Sequence, residues 1–227
     1  IYLYTNDAEQ QFSYIEAAKA KGYDVLVMDG QLDVHLASML EQKNEKSRYV
    51  RVDSDTIDNI VLKENAATVE LTANEQNALS SIFKAELPED KENSYWVSFA
   101  ALDAESMPVM ITQQEFMRRM KEMAATQGGM MSFYGQMPNS YNLVVNTNHA
   151  LIKRLLENTE NSLGEKVNPI NQQIAALKQM VETINEANKD KKDDEIAETD
   201  KELIKSNNDK VAALEKDKEA LYKEFAK

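Results

Sequence analysis

Residues 1–30 read IYLYTNDAEQQFSYIEAAKAKGYDVLVMDG. The apolar runs at residues 1–4 and 25–28 are typical of buried strands. Residues 8–21 between them have helical spacing, and Gly22 is a suitable residue just past the end of a helix. Three apolar residues share the predicted inward side of this helix: Phe12, Ile15 and Ala18. A strand, a helix and a strand within about 30 residues predict a βαβ unit with parallel strands and a right-handed crossover.

A further helix and a third strand are predicted after this unit. The helix follows Asp29-Gly30, and its apolar positions are Leu32, Leu36, Met39 and Leu40. The strand is residues 49–52, so residues 1–52 are interpreted as the last part of an α/β layer. The chain begins within a strand and lacks an initiator Met. We therefore expect a fragment of a longer protein.

Residues 53–157 mix helices and strands unevenly, which is typical of a small α+β domain. The run Thr72-Ala73-Asn74-Glu75 predicts a helix start, and this helix ends before Pro88. Three apolar runs predict strands at residues 95–100, 108–111 and 141–145. Between the last two, Thr112 and Glu115 fit a capping box at the start of a helix. Another helix follows the third strand, and the overall fold class is α+β.

Residues 158–227 are strongly charged and predict a coiled-coil-like helical hairpin. Asn168 and Pro169 suit a helix start. Apolar residues then step by four and three, the heptad spacing of packed helices, and a polar run at 188–194 suits a turn. The outgoing positions are Ile170, Ile174, Leu177, Val181 and Ile184; the return positions are Ile204, Asn207, Val211, Leu214, Lys218, Leu221 and Phe225. We expect antiparallel arms with the return arm longer, the alternative being a disordered charged segment.

The composition excludes several classes of protein. The 227 residues contain no Cys and two His, which rules out thiolate metal sites and cysteine nucleophiles. With 39 acidic and 26 basic residues the formal charge is -13, whereas nucleic-acid binding needs concentrated Lys and Arg. No apolar run approaches the roughly 20 residues of a membrane-spanning helix. We expect a cytoplasmic protein without nucleic-acid or membrane partners.

The sequence contains no convincing catalytic pattern. The pairs Asp29-Gly30 and Gly128-Gly129 lack a P-loop or dinucleotide-binding motif around them. His35 and His149 lie on separate predicted elements without an obvious partner Ser or Cys. We therefore predict no catalytic, cofactor-binding or metal-binding residues in this chain, and no enzyme activity from it.

The segment 112–134 has the most unusual pattern, because Met side chains cluster there. Phe116, Met120 and Met123 fall at i, i+4 and i+7, and this apolar stripe is backed by charged residues. Met117 and Ala124 lie beside it. Methionine surfaces are polarizable and adaptable, which suits contact with varied partners. The alternative is that the stripe packs into the core of its own domain.

The order of these motifs resembles the bacterial HtpG chaperones of the ninety-kilodalton heat-shock family, heat shock protein 90. Four matching elements are IYLYTND at residues 1–7, KGYDVL at 21–26, the Met-rich helix, and NTNHALIKRLL at 146–156. The last contains a family element formed by Asn146, His149, Leu151, Lys153 and Arg154. The resemblance covers about residues 1–157.

The resemblance implies a domain assignment and a function. Residues 1–52 would end the middle domain, 53–157 would form the C-terminal α+β domain, and 158–227 would be an inserted hairpin. The full protein would be a stress-response chaperone that forms a homodimer and assists the folding of unfolded client proteins. It would hydrolyse ATP with Mg in an N-terminal domain outside this chain, so the fragment itself would hold no cofactor.

The resemblance also implies a client-binding site. In the family, an amphipathic helix of the C-terminal domain contacts clients, and the matching positions are Phe116, Met120, Met123 and Ala124. With neighbouring Met residues, the predicted client-binding set is Phe116, Met117, Met120, Met123, Ala124, Met130 and Met131.

The chain departs from the family pattern after residue 157. Two short dimerisation helices are expected there, and the charged hairpin intervenes. We expect the dimerisation helices beyond residue 227, which leaves open whether the fragment dimerises. The alternative function is a structural or adaptor module that recruits a protein partner through residues 170–225.

Overall fold

The computed structural model describes most of the chain as a mixed α+β protein, as predicted. The described residues are 1–61, 69–88, 90, 92–127, 132–189, 191–192 and 195–227. They divide into two units: the first contains Ile1–Glu70 and Pro88–Ile152, and the second contains Leu71–Leu87 and Lys153–Lys227. The assignment of residues to the middle and C-terminal domains of the family stays a prediction.

The first unit begins with a three-stranded parallel sheet. Its strands are β1 (Tyr2–Thr5), β2 (Leu26–Val27) and β3 (Tyr49–Arg51), in the order β2-β1-β3. Helix α1 (Phe12–Ala20) connects the first two strands and α2 (Asp33–Lys43) connects the last two. Both strand pairs are parallel. This arrangement confirms the predicted βαβ unit and the third strand. The prediction that the second strand is buried is wrong, because Leu26 and Val27 are 45% and 66% exposed on the short edge strand β2.

Helix α1 ends at the predicted glycine. Gly22 has φ 81°, in the left-handed region that glycine adopts without strain. Its N–H donates to the Lys19 carbonyl over 2.8 Å, and the Tyr23 N–H donates to the Ala18 carbonyl over 3.1 Å. These two bonds satisfy carbonyls that the last helical turn leaves without partners.

The hydrophobic core of this sheet includes only part of the predicted inward side of α1. Ile15 and Ala18 are buried, together with residues of β1, β3 and the short helix α3 (Ile57–Ile60). The inward prediction for Phe12 is wrong, because its side chain is 62% exposed. Helix α1 begins at Phe12, four residues later than predicted. Phe12 therefore lies at the first position of the helix, before the turns that contain the buried Ile15 and Ala18.

A second three-stranded sheet lies in the same unit. Its strands are β4 (Asn93–Ala100), β5 (Val109–Thr112) and β6 (Asn139–Asn146), in the order β4-β6-β5. Strand β4 is parallel to β6 and β5 is antiparallel to it. All three predicted strands are confirmed. Between β5 and β6 the chain forms helices α5 (Glu115–Gln127) and α6 (Ser132–Gln136).

The predicted capping box at Thr112 is wrong. Thr112 is the last residue of β5 and is buried, and α5 begins only at Glu115. The Glu115 carboxylate instead accepts hydrogen bonds from two arginines of its own helix. Thus the Thr-x-x-Glu spacing is present, but Thr112 pairs with β6 as part of strand β5 and does not cap α5.

The second unit contains helix α4 (Ala73–Glu86), most of α7 (Ala150–Ala187) and α8 (Glu198–Phe225). Helix α4 begins with a reciprocal capping box, as its sequence predicts. The Glu75 N–H donates to Thr72 Oγ1 over 3.3 Å, and the Thr72 N–H donates to the Glu75 carboxylate over 2.7 Å. One apolar cluster joins the three helices: Ala78, Ile82, Leu163, Val167 and Tyr222.

Helices α7 and α8 form the predicted antiparallel hairpin. Residues further along α7 contact residues earlier along α8 in three hydrogen bonds. These are Lys218 Nζ to Asn171 Oδ1 at 3.1 Å, Lys178 Nζ to Glu215 Oε1 at 2.9 Å, and Asn188 Nδ2 to Asp200 Oδ2 at 3.0 Å. The apolar heptad positions lie between the arms and are buried or half-buried.

The predicted helix start at Pro169 is wrong. Helix α7 is continuous over 38 residues and contains Pro169 in its interior, whereas α8 has 28 residues. The outgoing arm is therefore the longer one, contrary to the prediction. Proline removes one hydrogen bond from the helix. Burial of Val167 before it and Ile174 after it stabilises the turns on both sides.

Two polar residues interrupt the seam of α8, as the heptad pattern predicts. Asn207 and Lys218 are both buried, and only 6% of Lys218 is exposed. Burial lowers the pKa of the Lys218 ammonium, Glu215 opposes this shift, and Lys178 adds to it. A buried cation costs stability, but its bond to Asn171 favours one register of the two helices.

The change Lys218→Met should raise the stability of the hairpin by about 1 kcal/mol at pH 7, because it removes a buried charge and keeps the side-chain length. Thermal unfolding followed by helical circular dichroism measures this difference. Exposed Lys216→Met is the matched control and should have little effect. A lower midpoint for Lys218→Met would contradict the expectation.

The advantage of Lys218→Met should shrink at alkaline pH. Because the folded-state pKa of Lys218 lies below the ordinary value of 10.5, the folded chain releases this proton first as the pH rises. Between the two values the unfolded chain binds more protons, so the unchanged protein gains stability relative to the variant. Unfolding midpoints of both chains between pH 7 and 10.5 test this.

Candidate functional site

Helix α5 has one charged side and one apolar side. Glu115, Arg118, Arg119 and Glu122 follow steps of three, one and three residues, which places them on one side of a helix. Phe116, Met120 and Met123 follow steps of four and three on another side. The structure buries the charged side within the first unit, where only 4% of Arg118 and 9% of Arg119 remain exposed.

The Arg118 guanidinium lies against the central strand of the first sheet. One of its NH2 groups donates to the Tyr4 hydroxyl over 2.6 Å and to the Glu115 carboxylate over 2.7 Å. The other donates to Glu122 over 2.5 Å. The guanidinium carbon is 5.9 Å from the centre of the Tyr4 ring, within the range of a cation–π contact.

The Arg119 guanidinium joins α5 to α2 and β3. Its Nε donates to Glu115 over 2.6 Å, and a terminal nitrogen donates to Glu41 over 2.8 Å. Another terminal nitrogen donates to the backbone carbonyl of Tyr49. The second oxygen of Glu115 accepts the backbone N–H of Arg51 over 3.2 Å. Side chains of the cluster thus bind the outer edge of β3 directly.

A second ion pair extends this cluster. The Arg51 side chain binds Asp53 through two hydrogen bonds, of 2.5 Å from Nε and 2.8 Å from a terminal nitrogen. Paired geometry of this kind gives strong, oriented charge-assisted bonds. Arg51 also donates to Asn6 Oδ1 over 3.3 Å. We use the name charge cluster for Tyr4, Glu41, Arg51, Asp53, Glu115, Arg118, Arg119 and Glu122.

The electrostatics of the cluster keep Glu115 ionised. Burial by itself opposes its ionisation, but Arg118 and Arg119 outweigh burial and lower the pKa of Glu115. Burial raises the pKa of Tyr4, and the charge of Glu115 raises it further. At neutral pH the Tyr4 hydroxyl therefore stays protonated. It donates a hydrogen bond to the Glu115 carboxylate over 3.0 Å.

The predicted client-binding residues lie in three different situations. Phe116 is 63% exposed, whereas Met117, Met120 and Met123 are half-buried. Ala124 is buried, and a Cβ atom at Gly135 of α6 would lie 3.8 Å from its Cβ. Met130 and Met131 lie outside the described residues. The apolar stripe is therefore divided between an outer surface and contacts within the first unit.

Sequence reasoning missed the charge cluster and the exposed side of α2. The signal for the cluster was present, since Arg118 and Arg119 are adjacent and Glu115 and Glu122 lie three or four residues away. Their partners on β1, α2 and β3 are distant in sequence. In α2 and just before it, three apolar side chains are exposed: Leu32, Leu36 and Met39.

Chaperones of the HtpG type are similar to this chain over its whole length. No protein-family model matches the chain. The chaperone protein HtpG of Bacteroides thetaiotaomicron is 46% identical over 226 residues, which cover 100% of this chain and 33% of that protein. HtpG of Bacteroides fragilis strain YCH46 is 45% identical with the same coverage. HtpG of Porphyromonas gingivalis strain W83 is 45% identical over 207 residues, 91% of this chain and 30% of that protein.

The fold and these similarities define a segment of a molecular chaperone. The chain belongs to the bacterial HtpG family of heat shock protein 90 chaperones. It spans about a third of the length of the curated relatives that it matches. The match to the Bacteroides proteins extends over the whole chain and so includes the segment 158–227.

Two negative findings concern the described part of the chain. No helix there is long and apolar enough to cross a membrane. The same residues contain no group of three His, Asp or Glu side chains that could hold a metal ion.

The change Glu115→Gln should destabilise the first unit by about 3 kcal/mol at pH 7, because two buried guanidinium groups lose their shared anion. Scanning calorimetry measures the loss, and exposed Glu105→Gln is the matched control. The pKa of Glu115 is lowered in the folded state. The stability that its carboxylate contributes is therefore complete above the ordinary pKa of 4.5, and it is lost as the pH falls through the lowered pKa of the folded state. The two chains should thus converge in stability below pH 4.5; a constant difference would contradict this account.

Proposed function

We propose that this chain is the part of an HtpG chaperone that holds unfolded polypeptides through the outer face of helix α5. The outer face carries Phe116, which is exposed, beside Met117, Met120 and Met123, which are half-buried. The single observation that supports this most strongly is the burial of the opposite, charged side of the helix. Because Arg118 and Arg119 are held inside the first unit, the Phe116 side chain remains exposed to solvent.

The chemistry of the outer face suits weak binding of many sequences. Methionine side chains are flexible and polarizable, so they fit apolar groups of different shape. Burying one large apolar side chain is worth about 1.5–3 kcal/mol. A few such contacts, less the cost of ordering the client, produce modest affinity. A chaperone needs such affinity because it must also release its client.

The remaining activities of the full protein are part of the same proposal. We assign ATP binding and hydrolysis to a nucleotide domain outside this chain, with Mg as its cofactor. Homodimer formation is assigned to the full protein in the cytoplasm.

The double change Phe116→Ser and Met120→Ser should weaken binding of an unfolded protein by tenfold or more, since 1.4 kcal/mol corresponds to about tenfold in affinity. The probe is fluorescently labelled, reduced and carboxymethylated α-lactalbumin, which stays unfolded, and the measurement is fluorescence anisotropy with the 227-residue chain. The folded state of the variant is checked by its unfolding midpoint.

The matched control is the double change Met180→Ser and Leu203→Ser on the hairpin. These two side chains are more than half exposed, so the control removes exposed apolar surface outside α5. Its affinity should equal that of the unchanged chain. Equal binding by all three chains, with intact folds, would refute the assignment of client binding to α5.

A second candidate function has one structural observation in its favour. A groove of about 530 Å³ runs along the hairpin, lined by Gln173, Ala176, Leu177, Lys210, Ala213 and Leu214. Small alanine side chains permit close approach of another helix. The groove supports the alternative in which the hairpin acts as an adaptor that recruits a protein partner.

Shortening the hairpin separates the two candidates. Replacement of residues 175–214 by a short Gly-Asn turn removes the groove and keeps the cluster around Leu163, Val167 and Tyr222. If α5 holds clients, the shortened chain should bind the labelled α-lactalbumin with unchanged affinity. A loss of binding, with the remaining fold intact, would favour the hairpin as the site.

A further inference from the structure

The edge strands of the two sheets differ in whether their outward-pointing backbone groups have hydrogen-bond partners. Strand β3 is an edge strand, and the backbone groups of Tyr49 and Arg51 point away from β1. Glu41 accepts the Tyr49 N–H over 2.6 Å, Arg119 donates to the Tyr49 carbonyl, and Glu115 accepts the Arg51 N–H. Side chains of the charge cluster thus occupy hydrogen-bonding groups that another strand would need.

The outer edge of β5 also has partners. The carbonyl of Ile111 points away from β6 and accepts a hydrogen bond from the Tyr14 hydroxyl. Just beyond the strand, the Gln113 N–H donates to the Asp53 carbonyl over 3.0 Å. Proteins commonly block edge strands in such ways, because an open edge pairs with other chains.

The outer edge of β4 is open among the described residues. The carbonyls of Glu92 and Ala100 accept hydrogen bonds from β6 and the residue after it, at the two ends of the pairing. Backbone groups alternate in direction along a strand, so even-numbered residues of β4 bond to β6. The N–H and C=O groups of the odd-numbered residues therefore point outward: Asn93, Tyr95, Val97 and Phe99. In the described residues, no hydrogen bond joins these backbone groups to another strand or to a side chain.

The sequence of β4 lacks the usual protection of an edge strand. Its eight residues, NSYWVSFA, contain no charge and no proline. Lys, Pro or an inward-pointing charge is the common means of preventing pairing at an edge. Trp96, the single Trp of the chain, is 64% exposed on this strand. Within the part of the chain that the structure describes, the strand thus presents unpaired backbone groups beside an exposed aromatic surface.

We propose that the open edge of β4 binds an extended, uncharged or basic segment of an unfolded polypeptide as an additional strand. Backbone hydrogen bonds would supply affinity without regard to sequence, and Trp96 would contact an apolar side chain of the added strand. A second copy of this chain is a less suitable occupant of this edge than an uncharged or basic segment, because its net charge of -13 opposes its approach to a chain of the same charge. This inference goes beyond the α5 proposal and does not depend on it.

Hydrogen exchange measured by NMR on the 227-residue chain tests the proposal. The probe is a nine-residue peptide of alternating Val and Thr with a Lys at each end. In the free chain the amides of Tyr95, Val97 and Phe99 should exchange rapidly, and those of Trp96 and Ser98 slowly. Saturating peptide should slow the odd-numbered amides by about tenfold or more and leave the even-numbered ones unchanged.

A matched pair of variants tests the backbone contact itself. Val97→Pro removes one outward N–H at a position where an edge strand accepts proline, and Val97→Thr keeps that N–H. Trp96 fluorescence follows peptide binding in both. The proline variant should bind the peptide about tenfold more weakly than the threonine variant. The α5 double variant should bind the peptide as the unchanged chain does, which separates failure of this proposal from failure of the α5 assignment.

Four results would overturn the proposal. Slow exchange of the odd-numbered amides without peptide, at every protein concentration, would show that the edge is already covered. Slow exchange that appears as the protein concentration rises, with a doubled mass in light scattering, would identify a second copy as the occupant. Peptide binding that leaves these amides unchanged, or equal affinity of the proline and threonine variants, would place binding elsewhere.

Discussion

Burial of two arginines around one glutamate is the interaction on which the first unit depends. Arg118 and Arg119 can be withdrawn from water only because Glu115 lies between them and Tyr4, Glu41 and Glu122 accept further hydrogen bonds from them. A buried guanidinium without partners costs several kcal/mol. Helix α5 therefore has a single rotational position in which all these bonds are made. The same bonds connect β1, α2 and β3, so the cluster holds the helix and the first sheet together.

The charge cluster also separates stability from binding. In most amphipathic helices the apolar side supplies the packing energy and the charged side faces water. Here the charged side is buried, and Phe116 on the apolar side is exposed. The Phe116 side chain is thus accessible to another polypeptide without loss of the contacts that hold the helix. This separation is consistent with the proposed binding and release of unfolded chains.

The hairpin follows a different principle, in which apolar residues build the seam and a few polar residues select its geometry. Buried Lys218 bonds to Asn171, and Asn188 bonds to Asp200 near the turn. Slipping one helix along the other would leave these groups buried without partners. Packing of α4 against the base of the hairpin adds a third helix and gives the second unit its own core.

The periodicity of the sequence was sufficient for the parallel βαβ unit, the three later strands, the Thr72 helix start and the two arms of the hairpin. These features depend on the spacing of apolar residues and on local capping, both of which are visible within a few turns of chain. Tertiary structure decided the remainder. Thr112 lies in a strand rather than at a helix cap, and α7 continues through Pro169, because strand pairing and packing outweighed local preference. The orientation of α5 was also beyond sequence reasoning, since Arg118 and Arg119 are buried only by residues 70 to 114 positions away along the chain. Which side of an amphipathic helix faces the core depends on the partners that the fold brings to it.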